Sequence, residues 1–552
     1  TIYTSTAFDR KIQNCYGFLI IYFLSPCGLK SLTIAHPTSS NSVNHLCDAN
    51  LRGWLDRSVS AHPNKFFLNS IDQKKTATYG EVHEFCRRLS RWLREQGFDA
   101  NDRVALISNN ALEHLLFYFG VMYYGATICT IHVGINAGAI QEILKTLDPK
   151  LVVFEENVGL ELEMGRSGYS THALGFWSQS ECSGIFADIA KTLPQDLARL
   201  NRPDDIATIF FTSGTTAKPK GILCTFRHLE TNVSAVTEAF DIRPEDLLLD
   251  YRSFNWASAQ MLSALGVLCR GATLLLARKF SSSRFFDWIE SFRPTVVVGN
   301  PTVFKMLLSR DPDAAKPDLS SVRFMTSSSA PLDISDWKSF EERFSIPIIQ
   351  GYGSSEAGWI GATSLEERRV GSVGKPLAYH RLSIIGEDGA VLSAGEIGHI
   401  ELGAETSREY GYLKGDGSID VTHVGRLRTG DLGYLDEEGY LFITGRAKDL
   451  IIRGGINISP MEIDHVISQF PGISAVASVG VPDDIYGEEV AAFVVINKDV
   501  SPGVDEILHH CRTYLAEIKV PKSIHIINAL PRNERGKLDR KALKELWLEL
   551  DE

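Results

Sequence analysis

Behind an apolar run, Ala207-Thr208-Ile209-Phe210-Phe211, the chain places Thr212-Ser213-Gly214-Thr215-Thr216-Ala217-Lys218-Pro219-Lys220-Gly221. Hydroxyls, glycines and two lysines in one turn offer backbone N–H groups, O–H donors and positive charge, which is what a polyphosphate requires. Ser, Thr and Gly also dominate ordinary polar turns, so composition leaves both readings open. The GxxxxGK[ST] spacing is absent, because Pro219 follows Gly214 and four intervening residues.

Further segments carry groups of the same kind. Gln350-Gly351-Tyr352-Gly353-Ser354-Ser355-Glu356 joins an aromatic ring to hydroxyls and a carboxylate, and alone reads equally as a glycine-rich loop with an exposed acid. It is not a dinucleotide fingerprint, since Glu356 stands at the third glycine of GxGxxG. Arg428-Thr429-Gly430-Asp431-Leu432 contains a Gly-Asp pair that by itself is an ordinary turn. In Gly445-Arg446-Ala447-Lys448-Asp449 the charges read as surface ion pairs, and Pro531-Arg532-Asn533-Glu534-Arg535-Gly536-Lys537-Leu538-Asp539-Arg540 reads as a solvated basic tail.

Taken in this order, the segments resemble the adenylate-forming (AMP-binding) superfamily that contains acyl-CoA synthetases, peptide-synthetase adenylation domains and firefly-type luciferases. The resemblance runs from about Leu51 to Leu543. It implies that Thr212, Ser213, Gly214, Thr215, Thr216 and Lys220 hold the phosphates of ATP. Tyr352 would stack on adenine, and Ser355 would turn its hydroxyl to the phosphates. Glu356 would carry Mg²⁺, a hard ion that takes one or two carboxylates with phosphate oxygens and water. Asp431 would accept both ribose hydroxyls, which suits an acceptor-only carboxylate. Arg446 would be a second ribose contact and Lys448 a hinge. Lys537 would bridge the substrate carboxylate and the α-phosphate, where a compact point charge can follow negative charge gathering around phosphorus. Lys537, Glu356 and Thr212 are thus the catalytic candidates. The chain departs from the family pattern at Ala217, where glycine is usual, and at Ser355, where threonine is commoner.

There is no GxSxG elbow, and the cysteines lie outside these segments, so no protein nucleophile is implied. The substrate carboxylate would itself attack the α-phosphorus in line and expel pyrophosphate, with catalysis resting on positioning and charge stabilisation. The resemblance further implies that a small domain turns about Lys448, withdraws Lys537 and brings up Ile452-Arg453-Gly454-Gly455-Ile456-Asn457. Gly454 and Gly455 would line the route of a pantetheine thiol, although the pair reads equally as a simple turn. Coenzyme A is the expected acceptor because no carrier domain follows Glu552. A free carrier protein is the alternative, a luciferase-like oxidation is a weaker one, and a catalytically inactive nucleotide-binding scaffold is the alternative of another class. Intact Glu356, Asp431, Arg446 and Lys537 oppose the last.

For the acid, the relevant stretch is Tyr251-Arg252-Ser253-Phe254-Asn255-Trp256-Ala257-Ser258, where the family places an aromatic or His gate beside the acyl pocket. Asn255 stands where many members carry histidine, so the gate passes to Phe254 or Trp256, each of which equally reads as core. Ser327-Ser328-Ser329-Ala330-Pro331 resembles the strip between adenine and the acyl pocket, with Ala330 on the acyl side. A fatty or other medium-sized hydrophobic acid is the default, which places the enzyme in fatty acid metabolism.

The elements that must position these groups follow from periodicity. Apolar residues recur at helical spacing from Leu51 to Leu93, and a helix-like run from Leu112 to Tyr124 stops at Gly125. Val104–Ile107, Leu151–Phe154, Ala207–Phe211, Ala272–Leu276 and Thr295–Val298 are apolar or β-branched runs between such helices. They predict an α/β fold with mostly parallel sheets covered on both faces. Short glycine-punctuated strands follow about Gly398. After Lys448 come a helix (461–469), two strands (475–481 and 489–496) and a helix (504–515). The expected organisation is an N-terminal extension (1–44), a large AMP-binding domain (45–447) and a small mobile α+β C-terminal domain (448–552).

With 552 residues, 44% hydrophobic and 22% charged, the chain has the composition of a globular protein of several packed units. A net charge of -12 opposes nucleic acid as a partner, because no basic excess exists to release phosphate counterions. The nine cysteines include no CxxC pair, which fits reduced thiols and a cytoplasmic location. The apolar run Tyr16–Leu24 falls short of the roughly 20 residues a membrane span needs, so no integral membrane segment is expected. Oligomeric state is not legible.

Overall fold

The computed structural model describes residues 50–161, 169–212, 220–311, 317–403, 410–420, 426–497, 502–532 and 538–551. The extension 1–44, four of the expected phosphate-binding residues (Ser213, Gly214, Thr215 and Thr216) and Lys537 lie outside them.

The protein is α/β, with a large N-terminal part of mostly parallel sheets and a small α+β C-terminal part. In one large sheet, Thr273–Leu276, Leu247–Asp250, Val296–Gly299, Phe324–Ser327 and Ile348–Gln350 run parallel, each paired with the next. The second large sheet is built on Arg103–Ile107, parallel to both Thr127–Ile131 and Leu151–Phe154. Ile206–Thr212 joins it parallel to Thr127–Ile131, and Lys220–Thr225 then returns antiparallel. These strands are β-branched or apolar almost throughout because helices cover both of their faces.

Helix Leu112–Tyr124 is buried at every position, Glu113 and His114 included, which explains why its sequence is apolar on nearly every side rather than striped. It ends at Gly125 with φ +101°, a conformation that suits glycine. Phe117, Tyr118, Phe119 and Met122 pack in one core with Phe226, Val233 and Val236 from helix Phe226–Ala239.

The expectation of helical spacing throughout Leu51–Leu93 is corrected. Helix Leu51–Ala61 ends before Pro63, the hairpin Phe66–Ser70/Lys75–Thr78 follows, and a second helix, Tyr79–Glu95, starts from a Thr78/Glu81 capping box. Leu68 instead pairs with Ala77 across the hairpin and with Leu274 on Thr273–Leu276, so these apolar residues are placed by sheet pairing and not by a helical face.

A four-stranded antiparallel sheet, Leu382–Ile385, Gly398–Leu402, Leu427–Leu435 and Leu441–Arg446, follows the two large ones. Beyond it, Ile451–Arg453, Ile456–Ile458, Ile473–Asp483, Gly487–Ile496 and Ser523–Ile526 form a separate sheet. This sheet packs against helices Pro460–Ser468, Val504–Tyr514 and Arg540–Asp551 and closes cores of its own, around Ile463, Val494 and Ile507 and around Phe493 and Leu543. Ser468 Oγ donates to Asp333 Oδ2 at 3.0 Å, tying helix Pro460–Ser468 to the large part. Among the described residues no helix is long and apolar enough to cross a membrane.

Candidate functional site

Three of the expected nucleotide contacts meet. Asp431 faces Arg446 across the antiparallel pair Leu427–Leu435/Leu441–Arg446, and Arg446 Nε lies 2.9 Å from Asp431 Oδ1. Tyr352 opens the strand after Gly351 and donates its hydroxyl to Asp431 Oδ2 at 2.5 Å. Burial first, then the adjacent carboxylate, push the phenol's pKa well above its ordinary value, so Tyr352 stays a donor. Gly351 is required by close approach: a Cβ there would lie 2.7 Å from both the Phe240 and Trp359 rings.

A second group forms at Lys220, the last of the residues expected at the phosphates. Lys220 pairs with Thr212 across two antiparallel strands, and its Nζ sits 3.2 Å from the centroid of the Tyr412 ring. The Tyr412 hydroxyl donates to Glu356 Oε1 at 3.4 Å. Tyr412 was not singled out by the sequence, since it lies on Tyr410–Leu413, which reaches Lys220–Thr225 only through tertiary pairing. Ser355 is half-buried in the turn between Tyr352–Ser354 and Gly358–Ala362. Among the described residues no three His, Cys, Asp or Glu side chains cluster as a ready-made metal site. A lone carboxylate such as that of Glu356 is the kind of ligand Mg²⁺ accepts when phosphate and water supply its other oxygens.

On the acyl side, Phe254 is fully buried in the main core, while Trp256 is 36% exposed. Asn255 is buried, with Nδ2 donating to Ser108 O and to Ser253 Oγ, each at 3.0 Å. Ala330 is exposed, two residues after the buried hydroxyls of Ser327 and Ser328. Lys448 is exposed on a single 3₁₀ turn, Ala447–Asp449. Gly454 (φ +57°) and Gly455 (φ +82°) form the two-residue turn between Ile451–Arg453 and Ile456–Ile458, a left-handed geometry that favours glycine at both places.

Residues 55–410 match the AMP-binding enzyme family, and residues 462–537 match the AMP-binding enzyme C-terminal domain. A sulfoacetate–CoA ligase of Cupriavidus necator is 32% identical over 491 residues, covering 87% of this chain and 94% of that protein. A long-chain-fatty-acid–CoA ligase of Mycobacterium tuberculosis is 29% identical, covering 90% of this chain and 98% of its own. An oxalate–CoA ligase of Arabidopsis thaliana is 28% identical, covering 90% and 99%. The solved structure of ATP-bound MatB from Rhodopseudomonas palustris superimposes with a TM-score of 0.81 at 26% identity, covering 91% of this chain and 100% of that one. With the two family matches spanning both parts of the fold, the chain belongs to the AMP-binding enzyme family and is an AMP-forming acid–CoA ligase.

Proposed function

We propose that the enzyme works in two half-reactions. In the first, a carboxylate oxygen of the acid bonds to the α-phosphorus of ATP, the bond to the bridging oxygen breaks, and pyrophosphate leaves with that electron pair. In the second, a coenzyme A thiolate attacks the acyl carbon and AMP leaves. The observation that carries the reading is the meeting of Tyr352, Asp431 and Arg446, which offers a ring, a carboxylate and a guanidinium to one nucleoside.

Tyr352 stacks on the base, while Asp431 and Arg446 fix the ribose. Thr212, Ser213, Gly214, Thr215, Thr216, Lys220 and Ser355 face the phosphates. Glu356 holds Mg²⁺, which when bound neutralises part of the phosphate charge. Lys537 places its ammonium against the charge that develops on the α-phosphate oxygens. Phe254, Asn255, Trp256 and Ala330 belong to the acyl side.

The large domain spans 45–447 and the small one 448–552. The exposed Lys448 on its short turn serves as the hinge, and the Gly454-Gly455 turn lines the thiol's path. We place the reaction in the cytoplasm, a reading supported by nine cysteines that include no CxxC pair.

The test is ATP–pyrophosphate exchange across a panel of carboxylic acids, followed by mass detection of the CoA thioester. Exchange without thioester would remove coenzyme A as acceptor in favour of a carrier protein. Absence of exchange with every acid would overturn the catalytic reading.

A further inference from the structure

Lys537 lies outside the described residues, but the residues on either side of its stretch are placed. Arg532 bridges to Leu538, and the Asp539 N–H donates to the Pro531 carbonyl at 3.0 Å, so the two flanks are pinned side by side. Leu538 packs against the core that holds Phe493 and Leu543. Asp539 then caps helix Arg540–Asp551, accepting from the N–H groups of Lys541 and Ala542 at 3.1 and 3.2 Å.

The first residue of that helix is an arginine. A cation at the amino end of a helix opposes its peptide dipoles, so the helix itself does not account for Arg540. Arg540 Nη2 lies 2.7 Å from Asp464 Oδ2, with the two side chains only 17% and 16% exposed, and among the described residues no other carboxylate pairs with it. Asp464 stands on helix Pro460–Ser468, and its second oxygen accepts from the Ser478 N–H at 2.6 Å. Burial raises the Asp464 carboxyl's pKa to about 6 while Arg540 and Ser478 pull it the other way, so at neutral pH the carboxylate is charged.

The helix that carries Asp464 is also the one that meets the large part. Ser459, just before it, donates its hydroxyl to the Thr444 carbonyl at 2.5 Å, and Ser468 at its far end donates to Asp333. Asp464 lies between these two ties, so a single helix of nine residues connects the surface of the large part to the base of the Lys537 stretch.

We infer that Asp464, acting through Arg540, is a positioning residue for acyl-AMP formation: it fixes the base of the stretch that carries Lys537 relative to the large part. The inference rests on the role proposed above for Lys537. The Gly454-Gly455 turn belongs to other strands of the small part, so the thioester step does not draw on this pair. Displacing a reacting group by about 1 Å can cost about a hundredfold in rate, which makes the anchor of a catalytic lysine kinetically visible.

The experiment measures single-turnover rates of both half-reactions by the full chain, with the acid that exchanges fastest in the panel above and with its preformed acyl-AMP. Asp464→Asn keeps the side chain's shape and removes its charge. It is expected to slow acyl-AMP formation by about tenfold or more and thioester formation by less than about twofold. Arg540→Met should do the same, and Arg540→Lys, which returns a cation to Asp464, should recover part of the first step. Lys537→Ala is the reference. If it loses only the first step while folded Asp464→Asn and Arg540→Met proteins lose neither step, or both alike, this inference alone is overturned. An Arg540→Lys protein no better than Arg540→Met also overturns it, and decides the matter should Asp464→Asn not fold. An unimpaired first step in Lys537→Ala, or no exchange with any acid, overturns the reading beneath and the inference with it.

Discussion

The Tyr352 hydroxyl sits 2.5 Å from Oδ2 of Asp431, so the ring expected under the base and the carboxylate expected at the ribose form one hydrogen-bonded unit. Arg446 holds the other oxygen, Oδ1, from the neighbouring strand. The carboxylate is therefore oriented before any nucleotide arrives.

Removing either half of this unit is expected to weaken ATP binding. Asp431→Ala and Tyr352→Phe each raise the KM for ATP, by about tenfold or more for Asp431→Ala, since a hydrogen bond to a charged group is worth about 1.5–3 kcal/mol. Ribose contacts are common to the ground and transition states, so kcat changes less than KM. Initial-rate kinetics with ATP and acid varied separately check this, and an effect confined to the KM for the acid would argue against the assignment.

Lys537→Ala is expected to abolish acyl-AMP formation while thioester formation from preformed acyl-AMP remains largely intact, because the ammonium serves only the charge built up at phosphorus. Single-turnover assays of the two half-reactions separate these outcomes. Equal loss in both would contradict the role.

Phe254 and Trp256 flank Asn255 but should behave differently. Phe254 is wholly within the core, so Phe254→Ala is expected to cost about 3–5 kcal/mol in denaturant unfolding. Trp256 is partly exposed, so Trp256→Ala should change the KM for the acid with a much smaller stability loss. A destabilised Trp256→Ala protein with unchanged acid kinetics would place that ring in the core as well.

Glu113 provides a pH signature. Burial pushes its pKa upward, but Lys75 Nζ at 2.7 Å, Gln73 Nε2 at 2.6 Å and the Trp177 N–H at 3.1 Å together hold it below its ordinary value. With the folded pKa depressed, the stability Glu113 contributes is present above the ordinary value of 4.5 and is lost as pH falls through the lower folded value. Lys75→Met should cost about 1.5–3 kcal/mol at neutral pH and progressively less in acid. Denaturant titrations at both pH values test this, and a cost that does not change with pH would refute it.

Helix Leu112–Tyr124 was legible because a helix-like, largely apolar run ended at a glycine, and the central strands because apolar runs lay between helices. Tyr352, Asp431 and Arg446, which the structure brings together, could be linked in the sequence only through the order of their segments, since each alone has an ordinary reading. Two things stayed hidden for one physical reason. The hairpin at 66–78 is fixed by pairing with Thr273–Leu276, and Tyr412 reaches Lys220 only through pairing of strands distant in sequence. Short-range periodicity carries neither. The amide orientation of Asn255 was equally out of reach, because it depends on the Ser108 carbonyl.

Thr212 and Lys220, which flank the expected phosphate-binding segment, pair on two antiparallel strands, with the helix Phe226–Ala239 beginning only after the second of them. A P-loop sets its anion against the amino end of a helix, whose peptide dipoles are permanent. A P-loop's lysine works beside those dipoles, whereas Lys220, in the role proposed for it, brings its removable charge with no helix end behind it. Acetylation of that one ammonium would erase part of the attraction for the triphosphate without disturbing the backbone, a form of chemical control to which a purely main-chain cradle is immune.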